Sequence, residues 1–206
     1  MTATLPRLFL TALLALLVFW AEPGHAGKLR VELRDERGQA LSDAVVFLES
    51  ADARRRVAAA PQAELSQQQR QFVPRVLVVP VGTPVAFPNL DTVRHHVYSF
   101  SPIKKFEIKL YVGPPEKPVT FDQAGIAVMG CNIHDQMAAW VVVVETPYFA
   151  KSSSDGSASL DAVPAGSYKL RSWHPGMAVD ALPASQAVTV TDTASVVQVR
   201  LPASMP

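Results

Sequence analysis

Residues 72–100 read FVPRVLVVPVGTPVAFPNLDTVRHHVYSF, short runs rich in valine and aromatic residues separated by Pro74, Pro80, Gly82, Pro84, Pro88 and Asn89. Proline removes a backbone donor, and glycine and asparagine accept turn conformations, so this punctuation breaks helices and bounds strands. β-Branched and aromatic side chains suit the pleated surface that results. The same texture runs outward in both directions, through KLRVELRD and AVVFLES upstream and KFEIKLYV, PVTFDQA, IAVMGC, AAWVVVVE, SYKLRSW, QAVTVT and SVVQVRL downstream. With 17 Pro and 10 Gly and no long 3.6-residue apolar period, the chain is expected to be all-β, a sandwich or barrel with little helix. The one place where a short helix or an irregular crossover is expected is Ala58–Gln71, AAAPQAELSQQQRQ.

The 206 residues are 49% hydrophobic, enough for one or two compact cores, and 19 Lys+Arg face 18 Asp+Glu. Binding to nucleic acid needs clustered cations that replace phosphate counterions, and the only basic run, Arg54–Arg56, reads as a solvated turn. No nucleic-acid partner is expected. The N-terminus has Arg7, an apolar run from Leu8 to Ala21 and the small-x-small triplet Gly24-His25-Ala26. This is the three-part pattern of an export signal, residues 1–26, cleaved after Ala26; an uncleaved anchor is the competing reading, although the run is short for a membrane span. The folded part is thus expected in the periplasm or an equivalent exported compartment, with no stable membrane span after cleavage, and His25 leaves with the signal. Disulfides are permitted there, yet Cys131 is the only cysteine.

Cys131 lies in GCNIHDQM, residues 130–137, with His134 and Met137 following at three-residue intervals. Taken singly, a buried cysteine, a satisfied histidine and a core methionine are ordinary residues. Together, a soft thiolate, imidazole and a weak thioether suit copper, and a His₂Cys set with a long methionine contact is the blue-copper arrangement. Zinc fits less well, because structural zinc sites usually draw on two or more cysteines or closely spaced histidines. The second imidazole must come from elsewhere, and His95 and His96 are the obvious donors. Neighbouring strand residues point to opposite faces, so only one of them can serve.

The segment FVPRVLVVPVGTPVAFPNLDTVRHHVYSF, followed by VTFDQAGIAVMGCNIHDQMAAWVVVV, resembles the cupredoxins, most closely their plastocyanin and amicyanin branch. The likeness covers about 80 residues and includes the order His…Cys…His…Met, with a C-x-x-H-x-x-M loop similar to the amicyanin version. It implies a Greek-key β-sandwich with one type 1 copper held by His95, Cys131, His134 and Met137. In that alignment His96 takes the place of a family asparagine whose side chain can tie down the ligand loop. A second resemblance is to the carboxypeptidase regulatory-like (prealbumin-like) β-sandwich: KLRVELRDERGQALSDAVVFLES opens like that family, and its usual continuation appears a hundred residues later as SSSDGSASLDAVPAGSYKLRSWHPGM. The expected organisation is one such sandwich over 27–60 and 147–206, split by a cupredoxin domain over 61–146. Two consecutive small β domains are the alternative. The combination is similar to proteins labelled as methylamine-utilisation proteins.

The expected function is one-electron transfer between redox partner proteins, with no enzyme activity; the sequence does not indicate the donor or the acceptor. Cys131 would carry the electron density, His95 and His134 complete the plane, and Met137 tune the potential. His134 is the expected exposed edge for exchange. Lys104 and Lys105 read as surface charges or as part of a docking face, and His174, in SWHPG, as structural. A multicopper oxidase needs many more histidines than the four left after residue 26. Copper storage or delivery, and a partner-binding sandwich without a redox role, are the other readings.

Overall fold

The computed structural model describes residues 26–115, 117–178 and 180–203. The expected export signal, apart from Ala26, lies outside the described residues. Among the described residues no helix is long and apolar enough to cross a membrane.

Alternation organises the first strand. In β1 (Ala26–Asp35) Leu29, Val31 and Leu33 are buried while Lys28, Arg30 and Arg34 are exposed, the period of two that places every second side chain on one face. This strand pairs antiparallel with β14 (Ser157–Pro164) and parallel with β17 (Ser195–Leu201). A second sheet has the order β13 (Phe149–Lys151), β2 (Val45–Glu49), β15 (Gly166–Trp173), β16 (Ala184–Val190). Leu29, Val31 and Leu33 from the first sheet and Val46, Leu48 and Leu170 from the second belong to one apolar core. The buried Ser152 side chain accepts from Ala44 N at 2.9 Å and donates to Leu41 O at 2.6 Å, so residues before the middle of the chain and residues after it are fastened together.

Residues 63–144 build the other sheets. β10 (Val119–Phe121), β7 (Thr83–Ala86) and β3 (Ala63–Glu64) form one; β6 (Val76–Pro80), β12 (Ala138–Val144), β11 (Gly125–Gly130), β8 (His95–Ser101) and β9 (Lys104–Tyr111) form the next, in those orders. The hairpin β4 (Ser66–Gln68) and β5 (Gln71–Val73) stands beside them. Phe87, Phe121, Met129, Val141 and Val143 fill their core.

Strand β12 explains its own sequence. Val141 and Val143 lie in the core of the 63–144 sheets, whereas Val142 and Val144 lie in the core of the other sheets, together with Val76 of β6. Buried on both faces, the strand reads as a continuous apolar run and not as an alternation. The seam is extended by Trp140 and Trp173, with ring centroids 6.3 Å apart, and by the Arg75 guanidinium 5.3 Å from the Trp140 ring centroid.

The expected all-β class describes the molecule; one six-residue helix, α1 (Ala51–Arg56), is found among the described residues. The helix is not in Ala58–Gln71, where the sequence suggested one; that segment carries β3, β4 and the start of β5 instead. It falls on the arginine run that read as a turn. Ser50 caps it by accepting from Ala53 N at 3.0 Å, and Ala53 is buried beneath it, while the arginines occupy the last turn, where cations favour the helix dipole.

Candidate metal centre

Two antiparallel neighbours, β11 and β12, end and begin around residues 131–137, and β8 starts beside them at His95. His95 shares the inward face of β8 with Val97 and Ser99, all at 0% exposure, while His96, Tyr98 and Phe100 take the outward face. One extra residue of β9 between Ile108 and Tyr111 shifts the pairing at this point, a bulge of the kind found beside functional sites. At the end of β11, Gly130 lies under the Tyr98 ring: a Cβ there would sit 2.7 Å from Tyr98 Cζ. Glycine therefore leaves room for the Tyr98 ring to lie across the strand just before Cys131.

The start of β8 and the loop between β11 and β12 bring three ligand-type side chains to one point. His95 Nδ1 and His134 Nδ1 are 3.2 Å apart, and each is 3.9 Å from Cys131 Sγ. All the ligand-type atoms fall within 4.8 Å of one another. Cys131 and His95 are buried and His134 is half-buried, so the group opens to solvent only through His134. Met137 is buried in the same core as Cys131, and its N–H donates to His134 O at 2.9 Å, closing the turn that joins the two.

Behind His95 the second ring nitrogen is engaged. Nε2 lies 2.7 Å from Asp91 Oδ2. The same carboxylate accepts from Gln69 N at 2.6 Å and from Arg70 N at 2.9 Å. Burial pushes the Asp91 pKa up, but the hydrogen bonds from Arg70, His95 and Gln69 outweigh it and hold the group below its ordinary value. An ionised carboxylate only accepts, so Nε2 carries a proton, and the neutral form of the ring has its lone pair on Nδ1, facing Cys131 and His134.

A buried network braces this segment. Asn89 donates from Nδ2 to Val93 O and Tyr111 O, both at 2.9 Å, and its Oδ1 accepts from Asp91 N at 2.9 Å. Gln67, fully buried, donates to Phe87 O at 3.1 Å and accepts from Tyr111 Oη at 2.8 Å. Burial raises the Tyr111 pKa to about 12, with the neighbouring Cys131 charge adding to the rise.

The donor set can be tested against an ion. With bonds of about 2.0–2.1 Å to imidazole nitrogen and about 2.3 Å to thiolate sulfur, a trigonal N₂S set has nitrogens roughly 3.5 Å apart and nitrogen–sulfur separations of roughly 3.8 Å. The observed 3.2 and 3.9 Å match that pattern. Lone pairs held this close repel one another unless a proton or a cation lies between them. One thiolate with two imidazoles suits a first-row ion of the copper type.

The remaining candidates fall elsewhere. His96 is buried on the outward face beside Tyr98, its Nε2 3.0 Å from Glu107 Oε1 but not aligned as a hydrogen bond, and no hydrogen bond among the described residues ties it to the 131–137 loop. The loop-fastening role expected for it has no hydrogen bond behind it among the described residues. Lys104 pairs with Asp122 at 3.0 Å, and Lys105 is exposed. His174 has both ring nitrogens engaged, Nε2 3.0 Å from Ser42 O and Nδ1 accepting from Gly176 N at 2.9 Å.

Similar solved structures include cupredoxins. A copper-containing nitrite reductase from Thermus scotoductus SA-01 is 26% identical over 41% of this chain and 22% of its own, with a TM-score of 0.38. A purple cupredoxin from Nitrosopumilus maritimus is 22% identical over 40% of this chain and 99% of its own, with a TM-score of 0.36. Amicyanin from Paracoccus versutus is 18% identical over 48% of this chain and 97% of its own, with a TM-score of 0.35. This chain thus spans about a fifth of the nitrite reductase. The family model for polysaccharide lyase family 4, domain II, matches residues 122–198, from just before β11 into β17. No curated protein matches the chain.

Sequence reasoning missed Asp91. An aspartate in a Pro-Asn-rich turn is commonplace, and the one available signal was its position four residues ahead of the candidate ligand His95. The brace of Gln67, Asn89 and Tyr111 was equally silent, because it joins residues far apart in the chain.

Proposed function

We propose that the chain is an exported one-electron carrier that holds a single copper ion with His95, Cys131 and His134, and with Met137 as a weak axial ligand. The observation that carries this reading is the convergence of two imidazole Nδ1 atoms and one buried thiol, with the far nitrogen of His95 tied to Asp91. When bound, copper of this type supplies a Cu(II)/Cu(I) couple whose electron density is shared with the thiolate. The protein keeps Cys131 away from water, fixes the His95 imidazole at the start of β8 and the His134 imidazole in the turn between β11 and β12, and leaves His134 as the edge nearest solvent. A preset, dry site limits reorganisation when the charge changes.

In this reading residues 61–146 are the copper-carrying unit, set into a carboxypeptidase regulatory-like sandwich over 27–60 and 147–206. The two sheets that join strands from both ends of the chain support that division. Residues 1–26 direct export, and the partners are redox proteins that meet the His134 edge. The molecule works as a carrier and not as an enzyme.

Voltammetry of the copper-loaded chain tests the carrier role against storage or delivery. A reversible one-electron wave with one copper per chain is expected. A chain that binds only Cu(I) and gives no wave contradicts the carrier reading.

A further inference from the structure

The turn that joins β4 to β5 points two backbone donors toward one carboxylate. Its two central residues, Gln69 and Arg70, have φ of +55° and +57°. Neither is glycine or asparagine, the residues that enter this left-handed region at little cost. Successive N–H groups in such a turn point to one side and form a small anion-binding concavity. Asp91 fills it: Oδ1 takes the Gln69 N–H and Oδ2 the Arg70 N–H, and Oδ2 also takes the His95 Nε2–H. Its own N–H is held by Asn89. One carboxylate, itself fastened at the backbone, therefore connects an outlying hairpin with the interior ring of His95, which is fully buried.

We infer that Asp91 is the positioning residue of the metal centre, holding His95 in its Nε2–H tautomer with Nδ1 aimed at Cys131 and His134, and setting the balance between the two copper oxidation states through its negative charge. The inference rests on the copper reading given above for its second half only; the tautomer claim concerns the protein without metal. A carboxylate behind a ligating imidazole raises the basicity of the ligand and favours the more highly charged ion. Removing that charge shifts the preference toward Cu(I). Outer-sphere partners of this kind typically change metal affinity by about 10–100-fold. A tenfold fall in the Cu(II)-over-Cu(I) affinity ratio corresponds to a rise of about 59 mV in the one-electron potential.

The test compares the full chain with Asp91→Asn, Asp91→Glu and Asp91→Ala. Because Asp91 substitutions remove the partner of two turn N–H groups, each is also made with Gln69→Gly and Arg70→Gly, which lower the cost of the left-handed backbone and keep the turn folded. Nitrogen NMR of the metal-free proteins is expected to show the Nε2–H tautomer of His95 in the wild type and in Asp91→Glu, and a mixture of tautomers in Asp91→Ala. Copper-loaded Asp91→Asn is expected to have a potential raised by the equivalent of a tenfold or larger change in affinity ratio, with Asp91→Glu restoring most of it. An unchanged His95 tautomer in Asp91→Ala, or an unchanged potential in copper-loaded Asp91→Asn, overturns the role given to Asp91. A wild-type chain that takes up no copper overturns the copper reading instead, and the NMR result still decides the tautomer claim.

Discussion

A cysteine buried among apolar side chains is an ordinary core residue, and its burial alone says little about chemistry. What sets Cys131 apart is the pair of imidazole nitrogens 3.9 Å from its sulfur. Residue types and spacing made Cys131, His134 and Met137 candidates from the sequence. Residue chemistry narrowed the partner histidine to two adjacent positions and the resemblance chose His95; the two lie on opposite faces of β8, with His95 on the side of Cys131 and His134. His95→Gln should therefore reduce copper affinity by more than about tenfold, since even outer-sphere changes cost that much. His96→Gln should leave copper content at one per chain, as metal analysis of the two variants would reveal. Equal losses in both would contradict the assignment of faces. Asp91 was illegible for a physical reason: its importance comes from three donors contributed by a separate hairpin and a strand end, and no local pattern records that.

At the level of elements, short alternating strands were legible because period-two burial leaves its mark residue by residue, as in β1. The helix was not. A six-residue helix has no room for a 3.6-residue stripe, and α1 forms through its Ser50 cap and the burial of Ala53, a signal hidden inside a basic run. The turn after β15 carries a consequence for pH. His174 is held below its ordinary pKa, first by burial and also by the Arg75 charge, against the hydrogen bond to Ser42 O and the Asp43 charge. Its neutral form is thus favoured in the folded state. The associated stability is complete above the unfolded value of about 6.5 and declines as pH falls through it, levelling off below the folded pKa. Urea unfolding at pH 7.5 and 5.5 should show a smaller loss of stability on acidification for His174→Gln than for the wild type. A larger loss in the variant would mean that His174 is charged in the folded protein.

For the molecule as a whole, the decisive feature is β12, which contributes alternate valines to two cores. The AAWVVVVE run was legible as a strand, but nothing in it told that a core lay on either side. The joining of early and late strands was visible in the sequence only through resemblance, since the fastening depends on Ser152 meeting Leu41 and Ala44 more than a hundred residues away. Ser152→Ala leaves a buried N–H and a buried C=O short of a partner, at a cost of about 1–3 kcal/mol, and denaturant unfolding should register it. A change within error of zero would show that the contact is dispensable.

The most direct test of the central claim is an optical titration of the purified chain, residues 27–206, with Cu(II), followed at the same time by metal analysis. Binding of one copper per chain with an intense visible charge-transfer band is predicted for the wild type, with the band absent in Cys131→Ser. A wild-type chain that binds no copper, or a Cys131→Ser chain that keeps both the band and the metal, would contradict the account.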